Sequence, residues 1–377
     1  MSARYRAGVI GMGQIGRHHV IGYRGVESVD VVAITEPNER VRTAAQQEFN
    51  IPTAYSDVRE MLDRERLDFV SVCTWHLLHE PQTVAAAAYR PKAILCEKPM
   101  TVGLASADRM IRTCEDRGVR LVIGHQRRFF HSWTKARELI QEGVIGTPQM
   151  VTAKTGEGLL NCGTHVVDAI RYLLGDPETE WVMGAVERKT DRFEREVRIE
   201  DRCLGVIRFK TGAQALIQSD LTPEWSVDDY QVRGMDGVLE TTSQAVRYVN
   251  GSTTGWVTVE TGYDDAWVLQ AQGLVSWVEG ATGHRGEARQ ARQTVEILMA
   301  LYQSARDHEV VRMPMQEQGY PIDLMWDEGK IPVVEPGAYD IRAFLAMEPD
   351  DRAAYGEMRR QGMRHKDIAE AMKRRHQ

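Results

Sequence analysis

Three stretches of this 377-residue sequence combine residue types at spacings that could carry chemistry. The first is Gly11-Met12-Gly13-Gln14-Ile15-Gly16, a G-x-G-x-x-G run. Gly11 permits a tight turn, Gly13 lets the backbone approach a pyrophosphate, and Gly16 lets a helix pack closely on a strand. Gln14 and Ile15 would open that helix, whose free N–H groups and partial positive charge suit a diphosphate. Glycine triplets also punctuate ordinary turns, so the flanks decide. Here a strand-like run precedes and a helix-like run follows. Glu36 closes the next strand-like run 20 residues after Gly16, where a ribose-binding acid belongs. A carboxylate there accepts from ribose hydroxyls and repels a 2′-phosphate, which points to NAD rather than NADP. Arg40 and Arg42 read as solvated positions on the following helix.

The second stretch is Cys96-Glu97-Lys98-Pro99, at the end of the fourth clear strand-like run. In a doubly wound sheet, ligands sit outside the carboxyl ends of strands. A lysine there can hydrogen-bond a hydroxyl and stabilise charge developing on its oxygen. Read alone, Lys98 is equally a surface lysine before a turn. The third is a polar stripe at helical spacing, Asn161, His165, Asp168 and Tyr172, opposite an apolar set of Val166, Val167, Ile170 and Leu173. An imidazole can accept a proton near neutral pH. Read alone, the stripe favours a satisfied, half-buried histidine at His165 over a catalytic one. The pairs His18–His19, His76–His79 and His125–His131 lack companion Cys, Asp or Glu at ligand spacing, so no metal is expected.

The elements that must position these residues are legible in outline. Strand-like runs at 8–10, 29–34, 69–73, 93–96 and 121–123 alternate with helix-like segments at 14–23, 38–49, 80–89 and 104–117, with a short helical piece at 58–62. That alternation predicts a parallel, doubly wound α/β sheet over residues 1–125. Residues 126–314 change character. Runs at 197–209, 213–220, 230–232 and 238–240 alternate and are broken by turn residues, with Lys210-Thr211-Gly212 as a hairpin turn. This predicts an α+β region, a mostly antiparallel sheet covered by helices that include 164–174 and the amphipathic 288–306. Residues 315–377 read as an extension: loop at 319–334, then helices at 339–347 and 353–375. Residues 362–371 faintly resemble the turn and second helix of a helix-turn-helix, but the groove-reading third helix has no counterpart.

Composition excludes whole classes. A net charge of −7 gives no general attraction to phosphate backbones or anionic membranes, so neither nucleic acid nor membrane is an expected partner. No apolar run approaches the roughly 18 residues of a membrane-spanning helix, and the first residues carry no secretory pattern. Five scattered cysteines without Cys-x-x-Cys fit reduced thiols in a cytoplasmic protein.

Taken together, the motifs resemble those of the Gfo/Idh/MocA oxidoreductases. Glu97-Lys98-Pro99 resembles that family's E-K-P. Cys73-Thr74-Trp75-His76-Leu77-Leu78-His79 is similar to C-T-P-N-x-x-H, and Gly124-His125-Gln126-Arg127-Arg128-Phe129 to G-[FYH]-[NQ]-x-R-[FY]. Gly163-Thr164-His165-Val166-Val167-Asp168 followed by Tyr172-Leu173-Leu174-Gly175 resembles G-x-H-x-x-D-x-x-x-[WY]-L-x-G. The likeness spans about residues 5 to 313. Trp75 and His76 depart from the family's proline and asparagine, and Asn161 stands where many polyol dehydrogenases have aspartate.

The resemblance implies an N-terminal Rossmann domain, a C-terminal sheet domain and an NAD cofactor. It implies that Gly11, Gly13, Gln14, Ile15, Gly16, Glu36, Thr74, His79, Glu97, Lys98 and Gln126 contact the cofactor. Lys98 and His165 would form the acid/base pair with Asn161 assisting, and Arg128 and Asp168 would join Lys98, Asn161 and His165 around substrate. The implied activity is hydride transfer between NAD and a secondary hydroxyl of a sugar, sugar derivative or cyclic polyol, in a homo-oligomer (dimer or tetramer). Two other readings use the same residues differently. One is a glycoside-cleaving enzyme that oxidises C3 transiently and eliminates the leaving group. The other is a non-catalytic NAD sensor.

Overall fold

The structure is a computed structural model that describes residues 4–221, 229–341, 349–361, 363 and 365–375. Its first sheet is six parallel strands, β1 (Tyr5–Ile10), β2 (Val29–Thr35), β3 (Thr53–Tyr55), β4 (Phe69–Val72), β5 (Ala93–Cys96) and β6 (Arg120–Ile123), in the order β3-β2-β1-β4-β5-β6. Helices α1 (Gln14–Arg24), α2 (Glu39–Glu48), α3 (Val58–Arg64), α4 (His76–Ala87) and α5 (Leu104–Glu115) connect them. The central strands are buried along their length, as continuous apolar runs require when both faces are covered. This is the doubly wound sheet the alternation predicts. Strand β3 was not expected: Thr53-Ala54-Tyr55 is short and only half-buried, so it leaves no apolar run to read. Helix α4 starts at His76, four residues before the predicted start, and carries Pro81 inside it. His79 secures the turn before the proline, its ring nitrogens lying 2.8 Å from Pro99 O and 3.0 Å from Thr74 O.

Helix α6 (His131–Gln141) leads into a nine-stranded sheet. It comprises β7 (Pro148–Thr155), β8 (Thr179–Glu187), β11 (Arg202–Phe209), β12 (Gln214–Ser219), β13 (Tyr230–Gly234), β14 (Gly237–Thr241), β15 (Val246–Asn250), β16 (Val257–Val259) and β17 (Val311–Arg312). All its pairings are antiparallel except β7 with β12. Helices α7 (Thr164–Leu173) and α9 (Ala288–Asp307) cover one face, and every residue of α7 is buried. Helix α8 (Ala266–Val278) returns to the first sheet and packs on α1.

A third, smaller sheet joins β9 (Thr190–Glu194), β10 (Val197–Arg198) and β18 (Glu335–Asp340). The single run expected at 197–209 is therefore two strands. Glu200 turns inward between them, and Asp201 accepts from the backbone N–H groups of Lys189 and Thr190. The extension also differs from expectation. The predicted loop contains α10 (Pro321–Asp327), started by a proline at its N-terminus. Tyr339 and Asp340 belong to a strand rather than a helix, because residues 335–340 add to the edge of β9. Residues 342–348 lie outside the described residues. The last predicted helix is two, α11 (Pro349–Arg360) and α12 (His365–Arg375), which close a small core of Ile368 and Met372 against Ala354, Tyr355 and Met358.

Glu200 ties these layers to one point. It is fully buried, and its carboxylate accepts from Leu159 N–H at 2.7 Å and Tyr302 O–H at 2.6 Å. Leu159 opens a π-helical turn, Leu159–Gly163, that leads into α7. Burial pushes the Glu200 carboxyl up to about 7, against 4.5 for an ordinary glutamate. The folded chain thus holds a proton that the unfolded chain releases. That contribution is complete below about pH 4.5 and is lost as pH rises through about 7. Glu200→Gln should flatten this slope, so that urea midpoints of variant and parent diverge between pH 4.5 and 7. Parallel curves would refute the assignment.

Candidate active site

A cleft of about 920 Å³ opens at the carboxyl ends of the first sheet's strands, and Asn161, Cys162, His165 and Arg195 line its far side. Its floor is the glycine loop. Gly11 adopts φ +90°, and a Cβ there would stand 2.7 Å from Cys73 O. A Cβ on Gly16 would lie 1.9 Å from Gly11 O, so Gly16 allows the helix to start where it does. A Cβ on Gly13 would meet nothing within 4 Å, and Gly13 caps α1 without any side-chain cap bond. Open space thus sits over an uncapped helix N-terminus, the setting for a diphosphate. Glu36 lines the cleft beyond it, its carboxylate oriented by Met12 N–H at 3.0 Å and Asn38 N–H at 3.1 Å.

At the other end β5 runs into Glu97 and Lys98. Glu97 lies 3.0 Å from His19 Nε2 and accepts the Lys98 N–H at 3.1 Å; His19 continues through Ser71 to Tyr23. Burial alone would raise the Glu97 carboxyl, but His19 and Lys98 hold it below the usual range. Lys98 Nζ crosses to the second sheet's side, donating to Asn161 O at 3.0 Å and Asn161 Oδ1 at 3.2 Å. Burial lowers the lysine, with Glu97 and Glu194 opposing. Asn161 sits in the π-helical turn, its amide donating to Glu157 at 3.2 Å. One turn on, His165 is buried with no hydrogen-bond partner for Nδ1. Burial, reinforced by Arg127 and Lys98, pushes His165 well below 6.5, so it is a neutral imidazole.

Of the residues singled out from sequence, Gly11, Gly13, Gln14, Ile15 and Glu36 line one end of this cleft. Thr74, Glu97, Lys98, Gln126, Asn161 and His165 line the other. Thr74 Oγ1 and Gln126 Oε1 are buried without partners, which leaves polar atoms for a nicotinamide carboxamide to meet. With the space over Gly13, these residues fit a dinucleotide.

Four expected contacts lie elsewhere. Gly16 faces Gly11 rather than the cleft. His79 spends both ring nitrogens on backbone carbonyls. Arg128 and Asp168, expected around substrate, instead make a buried bidentate pair at 2.7 and 2.8 Å, and Arg128 also binds Asp176 at 2.8 Å. The polar stripe on α7 thus divides: His165 faces the cleft, while Asp168 faces Arg128 and His125. Among the described residues no group of three His, Cys, Asp or Glu could hold a metal, and the five cysteines are free.

The structure adds residues to which the sequence reading gave no role in the site. His76 lines the cleft, with Nδ1 3.0 Å from the fully buried Glu194, and Arg195 lines it beside them. The β9–β10 turn that delivers Arg195 has two non-glycine residues in the left-handed region, Arg195 (φ +49°) and Glu196 (φ +68°). Without glycine or asparagine it gave no hairpin signal.

Residues 5–125 match the model of an oxidoreductase family with an NAD-binding Rossmann fold, and residues 137–313 match that family's C-terminal alpha/beta domain. Myo-inositol 2-dehydrogenase of Thermotoga maritima is 29% identical over 237 residues, covering 59% of this chain and 70% of that protein. D-apiose dehydrogenase of Paraburkholderia graminis is 24% identical over 365 residues, 87% of this chain and 95% of that one. An NAD-binding oxidoreductase of Klebsiella pneumoniae superposes with a TM-score of 0.74 at 20% identity, over 84% of this chain and all of its own.

Two expectations test this geometry. Gly13→Ala should fold with an unchanged melting temperature yet weaken NADH binding at least tenfold, whereas Gly16→Ala should lower both. Asp168→Ala leaves the buried Arg128 guanidinium with Asp176 as its one remaining carboxylate among the described residues and should cost about 3 kcal/mol in urea unfolding, with NADH affinity of the folded protein retained.

Proposed function

The chain belongs to the Gfo/Idh/MocA oxidoreductases, and from that premise we propose an NAD-dependent dehydrogenase acting on a secondary hydroxyl of a sugar, sugar derivative or cyclic polyol. The observation that carries the reading is the meeting of Lys98 and His165 at the closed end of the cleft, joined through Asn161. The relatives act on the same kind of substrate, inositol and apiose in the two cases above. NAD, when bound, supplies the hydride acceptor. Its diphosphate would rest on Gly11–Gly13 and the first turn of α1, and its adenosine ribose on Glu36. Thr74 and Gln126 would face the nicotinamide.

The protein's own part is to bind the alcohol and take its proton. Two of the Lys98 ammonium donors are held by Asn161, leaving the third for the hydroxyl oxygen. A cation at that oxygen favours the alkoxide-like charge that develops as hydride leaves carbon. His165, kept neutral, accepts the hydroxyl proton. Asn161 cannot take a proton; it fixes the lysine. Glu36 accepts from both ribose hydroxyls and sets NAD above NADP. The open face of the nine-stranded sheet would carry the contacts of a dimer or tetramer.

Lys98→Ala and His165→Ala should each lower kcat/KM about 10²–10⁴-fold, read as NADH absorbance over a panel of sugars and inositols. A fully active variant would refute the mechanism. Because His165 is neutral well below pH 6.5, the acid limb of kcat/KM should fall below 6.5. Its alkaline limb should fall below 10.5, where the lowered Lys98 loses its proton. Release of an aryl leaving group without net NADH would assign glycoside cleavage instead.

A further inference from the structure

The closed end of the cleft carries more positive charge than hydride transfer from a neutral sugar needs. Besides Lys98, the side chains of Arg127 and Arg195 line it. The dinucleotide's own negative charge has its place at the other end, over the N-terminus of α1. One cation suffices to polarise the reacting hydroxyl.

The balancing carboxylates, Glu97, Glu157 and Glu194, stand in or behind the wall and are already engaged, Glu157 with the Asn161 amide. Glu97 is bonded to His19 and to the Lys98 N–H. Glu194 is fully buried; one oxygen lies 3.0 Å from His76 Nδ1 and the other takes Arg195 Nη1. Arg195 Nη1 also lies 3.3 Å from His76 Nε2. The other edge of that guanidinium, Nε and Nη2, has no acceptor among the described residues. One edge of the fork is thus anchored and the other is presented, the arrangement that captures an oxyanion through two parallel N–H bonds.

The fold invests structure in placing this side chain. Arg195 occupies a turn whose two central residues both adopt positive φ, and the Asp340 carboxylate clamps that turn, accepting Arg195 N–H at 2.9 Å and Glu196 N–H at 2.6 Å. Asp340 lies on β18, in the extension beyond the family's matched region, and β18 pairs along β9. The extension therefore fixes a cleft-lining cation.

We propose that the substrate is an anionic sugar or polyol derivative, whose carboxylate or phosphate is bound by Arg195 and Arg127 while its reacting hydroxyl lies between Lys98 and His165. The inference rests on the dehydrogenase reading and narrows it to a substrate class. A neutral sugar would leave the presented edge of Arg195 unpaired inside a partly dehydrated cleft, whereas an oxyanion gains charge-assisted hydrogen bonds worth about ten- to a hundredfold in affinity.

The test uses the full chain loaded with NADH, titrated with D-glucose, D-glucuronate and D-glucose 6-phosphate and followed by nicotinamide fluorescence. At least one anion should bind tenfold or more tightly than glucose, and which one does so separates carboxylate from phosphate. Arg195→Gln should bring the anion-to-glucose ratio close to one, with Arg195→Lys recovering part of it. Arg127→Gln, on a different element, repeats the test if the hairpin variant does not fold. Equal binding of all three compounds would overturn the proposal, as would absence of binding by any of them. So would a loss in Arg195→Gln that is the same for glucose and the anions. Failure to bind NADH at all would instead remove the dehydrogenase reading on which the proposal stands.

Discussion

The site depends on one contact: the Lys98 ammonium reaching from the end of β5 to the carbonyl and amide oxygens of Asn161. The two residues lie in different matched domains of the family, and neither partner is placed by its own element alone. On one side Glu97, immobilised by His19, accepts the backbone N–H of Lys98 and fixes where the lysine leaves the strand. On the other, Asn161 lies in a π-helical turn, a conformation rarer and less well bonded than the α-helix it leads into. The start of that turn is tied from outside. Glu200 takes Leu159 N–H, and Asp220 takes the N–H groups of Glu157 and Gly158. The widened turn separates Asn161 from His165, so that one binds the lysine while the other keeps an unpartnered nitrogen.

The electrostatics follow from that placement. A buried lysine prefers to lose its proton and a buried histidine prefers not to gain one, and both shifts have burial as their largest cause. Nearby carboxylates oppose the first effect, whereas every neighbouring charge reinforces the second. Glu97 and Glu194 oppose the desolvation of Lys98, and a charge on Lys98 in turn helps keep His165 neutral. In the proposed reaction, the cation that holds charge on oxygen and the base that removes the proton would thus share one environment.

What the sequence made legible was what repeats or what glycine alone can do. Five of the six strands and their parallel arrangement follow from alternating periods, and Gly11 and Gly16 follow from contacts that no Cβ could survive. The Lys98–Asn161–His165 convergence was readable through motif order. Other features were not, each for a physical reason. Strand β3 buries too little to show a pattern. Arg128 and Asp168 have the residue types of a binding site, yet opposite charges at such spacing satisfy each other equally well, and burial decided in favour of pairing. The β9–β10 turn uses residues that disfavour its backbone, so local propensity argued against it. Only the remote Asp340 makes it stable, and a contact 145 residues away leaves no local trace.

The departures from the family pattern make sense as one coupled change. Histidine at position 76 is larger than the asparagine of the resemblance, and as a buried imidazole it needs partners for two nitrogens. Glu194 stands at one nitrogen and Arg195 at the other. Burial lowers His76 and keeps it neutral, so it can donate from one nitrogen and accept at the other. Removing Arg195 would leave the buried Glu194 without its closest cation, and removing Glu194 would leave two cations, Lys98 and Arg195, without their shared counter-charge. The hairpin that carries both is held by β18. His76, the Glu194–Arg195 turn and the C-terminal strand therefore form one electrostatic and mechanical unit, in which no member keeps its purpose once another is lost.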